Sequence, residues 1–223
     1  MKSTAILLGA TGLIGGHILD ALKSDASFDT IKVIVRRPFK DNHPKVKVEV
    51  IDFEDANQFE SAMQGADVTF SAIGTTQKKV KGDKKKYRKI DFDITVNAAK
   101  FSAKSGAKHF LVVSSVGADS NKKGFYLNLK GEVEDALRDL AKKEDGLDSL
   151  SIFRPSLLLG ERSETRIAES ILQFLSKALS FLFPKNMKPI KGKAVAQAML
   201  EAAKLNKNGV EVYHYQEMKN LCS

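Results

Sequence analysis

The stretch Ala5-Ile6-Leu7-Leu8-Gly9-Ala10-Thr11-Gly12-Leu13-Ile14-Gly15-Gly16 joins an apolar run to a turn with glycine at every third position. The apolar run reads as a buried strand, and Leu13, Ile14, Ile18, Leu19 and Leu22 follow the turn at helical spacing. A strand that feeds a helix through such a turn opens a βαβ unit. The glycines at 9, 12 and 15 then serve three needs: backbone angles that a side chain resists, access of a pyrophosphate to bare N–H groups, and close packing of helix on strand.

Outward from this join, strand-like and helix-like segments alternate along the chain, which is the pattern of βα units around a parallel sheet. Strands are predicted at 5–8, 31–35, 46–51, 68–72, 109–114, 150–153 and 210–213. Helices are predicted at 13–23, 56–63, 90–104, 126–142, 166–183 and 194–205. Runs as apolar as Phe110-Leu111-Val112-Val113 belong in the middle of a sheet covered on both faces. The expected architecture is α/β, a Rossmann-type doubly wound parallel sheet formed by a single domain over 1–223. Residues 155–223 are expected to contribute a small helical cap on the substrate side.

The 223 residues are 43% hydrophobic and 28% charged, a globular composition. An N-terminal apolar run this short, broken by glycine, fits neither a signal peptide nor a membrane span, and the lone Cys222 leaves no internal disulfide. These features predict a cytoplasmic protein. Of the formal +9, the segment 77–89 carries +7, with eight basic residues against Asp83. It reads either as a solvated loop or as a means of drawing in an anionic substrate or cofactor, an acidic partner or a membrane surface. With Tyr87 as its one aromatic residue it offers no base-stacking platform, so no nucleic-acid partner is expected.

The end of the second strand bears on which dinucleotide fits. Arg36-Arg37 stand where a carboxylate would accept hydrogen bonds from a ribose 2′-hydroxyl, and paired guanidinium forks suit the 2′-phosphate of NADP(H) instead. Asp52-Phe53, after the third strand, are placed to meet the adenine. Further on, Tyr126 and Lys130 lie four apart on one helix face. A cation beside a phenol favours phenolate, which makes Tyr126 a candidate proton donor to a carbonyl oxygen. Lys130 is also a candidate for the nicotinamide ribose. A serine at the end of the preceding strand would hydrogen-bond the same oxygen; Ser114 and Ser115 both stand there, and spacing does not choose between them. His17, His43, His109 and His214 show no ligand spacing, so no metal site is expected.

Taken together with Ile73-Gly74-Thr75-Thr76, Lys108-His109-Phe110, Gly117-Ala118-Asp119, Gly131-Glu132-Val133-Glu134 and Phe153-Arg154-Pro155, these motifs resemble the atypical short-chain dehydrogenase/reductases. Within that branch the chain is most similar to the Tat-interacting-protein-like oxidoreductases. The resemblance implies NADPH contacts at Thr11, Gly12, Leu13, Ile14, Arg36, Arg37, Ile73, Gly74, Tyr126, Lys130, Leu158 and Arg166, with Tyr126 the proton donor. It implies reduction of a small carbonyl substrate; the alternative is an NADPH-binding sensor that acts through a protein partner without turnover. The apolar stretch 167–183 is expected to be buried in the cap or at a subunit interface, with peripheral membrane attachment as the other reading. Oligomeric state has no sequence signature.

Overall fold

Ala5 and Leu7 of β1 (Ser3–Leu8) enter one hydrophobic core, while Ile6 and Leu8 enter another on the opposite side. That alternation is what a strand requires when both faces are covered. The computed structural model describes residues 3–159, 188–205 and 207–222. β1 is an inner strand of a seven-stranded, all-parallel sheet with β2 (Phe28–Val35), β3 (Val46–Val50), β4 (Val68–Ser71), β5 (His109–Val113), β6 (Ser149–Phe153) and β9 (Gly209–Tyr213). The order across the sheet is β3-β2-β1-β4-β5-β6-β9. The chain leaves β1 toward β2 on one side and returns to β4 on the other, so the crevice beyond the C-terminal ends of β1 and β4 is the topological switch point where such sheets bind ligands.

The first core packs α1 (Leu13–Ser24) and α6 (Gly192–Ala203) against the sheet. The second packs α2 (Ala56–Ala62), α4 (Ile94–Lys104) and α5 (Phe125–Ala141) on the other face. Within the segment expected to form the cap, β9 extends the main sheet and pairs with β6. A two-residue pair, β7 (Leu158–Leu159) with β8 (Ile190–Lys191), and α7 (Tyr215–Leu221) complete the described C-terminal part. The helix predicted over 166–183, with Arg166 and the apolar stretch to Phe183, lies outside the described residues. No described helix is long and apolar enough to cross a membrane.

The lysine-rich segment departs from the solvated-loop reading. Turns after Thr76 lead into α3 (Lys84–Arg88), which Asp83 caps by accepting from the N–H groups of Lys85 and Lys86 at 2.9 and 3.1 Å. α3 continues through a single π-helical turn (Lys89–Asp93) into α4. Val80 and Tyr87 are the reason: they are buried with Leu129 in a small third core, and the Tyr87 hydroxyl donates to the Thr75 carbonyl at 2.9 Å.

His109 opens β5 as a buried residue, its Nε2 paired with the Ser151 hydroxyl at 2.8 Å. Burial pushes its pKa down from 6.5 to about 4, so the fold holds it neutral. Between those values the unfolded chain binds the extra proton and the folded chain does not, so stability is full above the upper value and declines as pH falls toward the lower one. His109→Gln, which retains a hydrogen-bonding amide, is expected to flatten that decline by up to about 3 kcal/mol. Urea unfolding between pH 4 and pH 7 measures it; identical pH dependence in the variant would refute it.

Candidate cofactor and active site

The β1–α1 turn is built where side chains do not fit. Gly9 has φ +85°, and a Cβ there would lie 2.5 Å from the Ala72 carbonyl oxygen at the end of β4. A Cβ on Gly15 would lie 2.1 Å from the Gly9 oxygen. Gly9 thus brings the turn against β4, and Gly15 brings α1 against the turn. Gly12 donates its N–H to the Gly9 carbonyl at 2.9 Å and caps α1 without a side chain, so no side chain occupies the helix N-terminus where an anion would bind.

A cleft of about 370 Å³ runs past this turn, lined by Gly9, Thr11, Gly12, Arg36, Arg37, Phe53, Ile73 and Gly74 among others. It adjoins a wider one of about 620 Å³, which shares Arg36, Arg37 and Phe53 and adds Asp52. Eight of the predicted cofactor residues therefore line the first cleft, and Asp52 joins them in the second. Arg36 and Arg37 are exposed, and neither pairs with a carboxylate among the described residues. Phe53 is fixed by an edge-to-face contact with Phe59, ring centroids 4.9 Å apart. Leu13 is partly exposed at the start of α1, whereas Ile14 is buried in the first core, so it has only backbone to offer a ligand. Leu158 packs against that same core.

The predicted chemical residues sit on α5 and the β5–α5 loop, outside the lining of both clefts. Tyr126, in the first turn of α5, is 42% exposed, and Lys130, one turn on, is 6% exposed. The Lys130 ammonium is 3.1 Å from Asp91 Oδ1, and Asp91 is almost wholly buried on the π-helical turn. Burial pushes the Asp91 carboxyl up, while Lys130 and the Thr75 N–H, 2.9 Å from Oδ2, pull it back. Thr75 lines both clefts. The pair Asp91–Lys130 thus ties the chemical helix to the cofactor cleft through one backbone amide.

The two serines part company. The Ser114 hydroxyl is buried and donates to Glu134 Oε1 at 2.5 Å. Glu134, also buried, accepts from Arg154 Nε at 2.9 Å and Nη2 at 2.6 Å. Ser115 is only partly buried and contacts its neighbour's carbonyl at 3.3 Å. Beyond it the loop crosses α5 at Gly131, where a Cβ would lie 2.1 Å from the Ser120 nitrogen. Asp91, Glu134, Arg154 and Gly131 received no individual role from sequence. Lys130 and Glu134 do have a signal: both fall on the apolar stripe Leu129, Val133, Leu137 of α5, where a charge needs a partner.

A glycine cradle, a helix N-terminus with no side-chain cap and a cleft at the switch point of a parallel sheet define a Rossmann-type dinucleotide-binding protein, and the residues present fit such a cofactor. A family profile described as NAD(P)H-binding matches residues 9–205, and the chain belongs to that family. Protein HTATIP2 of Rattus norvegicus is 35% identical over 171 residues, covering 75% of this chain and 68% of that protein. Protein FMP52, mitochondrial, of Candida albicans is 30% identical over 212 residues, covering 92% and 90%. The fold matches a UDP-N-acetylglucosamine 4-epimerase from Methanobrevibacter ruminantium M1 with a TM-score of 0.73 at 21% identity, over 96% of this chain and 77% of that one. The resemblance to atypical short-chain dehydrogenase/reductases is borne out by these relatives. The cytoplasmic expectation is not: fungal relatives carry a mitochondrial designation in their names, which overturns it. Composition and a single cysteine cannot tell a cytosolic protein from a mitochondrial one.

Gly15→Ala places its methyl group against the Gly9 carbonyl and is expected to displace α1 from the turn. Titration with NAD(P)H followed by fluorescence should show affinity falling at least about tenfold, the scale of one lost charge-assisted contact. Wild-type affinity in a folded variant would contradict the cradle geometry.

Proposed function

We propose that the protein is an NADPH-dependent reductase of a small carbonyl compound, located in mitochondria as the names of its fungal relatives indicate. The observation that carries the reading is the exposed Tyr126 one helical turn before the buried, paired Lys130. The unpaired Arg36 and Arg37 support NADPH over NADH, because a bidentate guanidinium gains most from a phosphate.

A bound nicotinamide supplies the hydride. Tyr126 donates its phenolic proton to the carbonyl oxygen as that oxygen gains charge, and the exposed side of the ring gives substrate access. The Lys130 cation lies one turn away on α5, held by Asp91, and stabilises the phenolate left behind. Ser115 is the serine we assign to the carbonyl oxygen, since the Ser114 hydrogen is committed to Glu134. Ser114, Glu134 and Arg154 hold the β5–α5 loop and the start of the chain after β6 in register.

NADPH oxidation against a panel of aldehydes, ketones and quinones tests this. Tyr126→Phe is expected to lower kcat by about 100-fold or more and Ser115→Ala by about tenfold or more. Ser114→Ala should instead lower the unfolding free energy by about 1–3 kcal/mol, the cost of a buried group left without its partner. Unchanged turnover in Tyr126→Phe would end the proton-donor assignment, and NADPH binding without turnover on any compound would end the reductase reading.

A further inference from the structure

The wider cleft has a wall formed by the lysine-rich segment. Val80 and Tyr87 bury themselves beside Leu129, and the Tyr87 hydroxyl anchors the segment to Thr75, so its backbone is fixed relative to the cofactor cleft. Only some of its cations face inward. Lys79 lines both clefts, and Lys86 and Lys89 line the wider one. Lys89 is 2.8 Å from Glu54 in a close but exposed ion pair. Lys86 has Asp83 at 3.8 Å with both side chains well exposed, an arrangement worth little in water. Lys79 has no carboxylate partner among the described residues.

Three acids share this lining: Glu54 pairs with Lys89, Asp52 accepts the Glu54 N–H at 2.9 Å, and Asp93 adds a third carboxylate, against five cations, Arg36, Arg37, Lys79, Lys86 and Lys89. Arg36 and Arg37 line the same cleft from the end of β2. Cations therefore face one space from two independent elements. The pyrophosphate, a diester with one charge on each phosphorus, is already served by the glycine turn. An excess of cations over acids away from that turn suits a phosphate monoester, which carries close to two charges.

We propose that Lys79 and Lys86 are specificity-determining residues that complete, with Arg36 and Arg37, a phosphate-monoester site at the adenosine end of the cofactor. This rests on the NADPH reading and adds a second element to it. The guanidinium forks fix the orientation of the phosphate, and the ammonium groups, on flexible stems, supply point charge from a separate element. Lys78, Lys81 and Lys85 are part of the same charge run and line neither cleft, which separates a local contact from a diffuse field.

The test is the affinity of purified wild type, Lys79→Ala/Lys86→Ala and the charge-matched Lys78→Ala/Lys85→Ala for NADPH and NADH, with thermal unfolding run on each. The first pair is expected to weaken NADPH about tenfold or more, and NADH and the control pair to change by less than about twofold. Equal losses of NADPH in both pairs would assign the effect to the field of the whole segment and overturn the inference. Parallel loss of NADPH and NADH in the first pair, or no loss in either, would also overturn it. A wild type that binds NADH as tightly as NADPH would bring down the NADPH reading and the inference with it. A wild type that prefers NADPH, with Lys79→Ala/Lys86→Ala unchanged, would bring down the inference alone.

Discussion

Three backbones converge where β1 ends: the turn itself, the exit of β4 at Ala72 and the first turn of α1. Their separations leave no room for a Cβ at Gly9 or Gly15. Everything that binds the cofactor hangs on this approach. It sets the crevice between β1 and β4, points the helix N-terminus into it, and puts Ile73 and Gly74 opposite the turn. The same approach allows both cores to form, because β1 and β4 can then be covered by helices on either face without an intervening loop.

The chemical half depends on a different constraint, the cost of burying charge. Lys130 and Glu134 both face inward from α5, and an unpaired ion in that setting costs several kcal/mol. Each is met by a partner from another element, Asp91 from the π-helical turn and Arg154 from the end of β6. Such pairs add little net stability over an apolar core, yet breaking one leaves an uncompensated charge. They therefore act as locks on register. One fixes α5 against the helix that borders the cofactor cleft, and the other fixes it against β6 and the loop that carries Ser115.

Much of this was legible in the sequence because it follows from local pattern. The seven main strands, the glycine turn and the Arg36-Arg37 tip each obey a period or a spacing confined to a few residues. The lysine-rich segment was legible as charge but not as structure. Two buried anchors, Val80 and Tyr87, organise it by reaching Leu129 and Thr75, and no local rule announces contacts of that separation. Ser114 and Ser115 were indistinguishable by spacing for the same reason. What separates them is Glu134, twenty residues along the chain, which claims one hydroxyl and leaves the other.

The π-helical turn explains how one helix can serve both halves. From α3 through α4 the backbone stays helical, and Tyr87, Asp91 and Thr95 are all buried on it, each four residues from the last. In an α-helix, steps of four residues advance about 40° each, so a stripe with that spacing drifts off one face within two steps. A π turn closes on the fifth residue instead of the fourth, takes more residues per revolution, and turns the stripe back. Tyr87 can then hold the Thr75 carbonyl while Asp91 takes the Thr75 N–H and Lys130 together. The π-helical turn thus places the wall of the cofactor cleft and the partner of Lys130 on one continuous helical stretch, so that the cleft and α5 share a common frame.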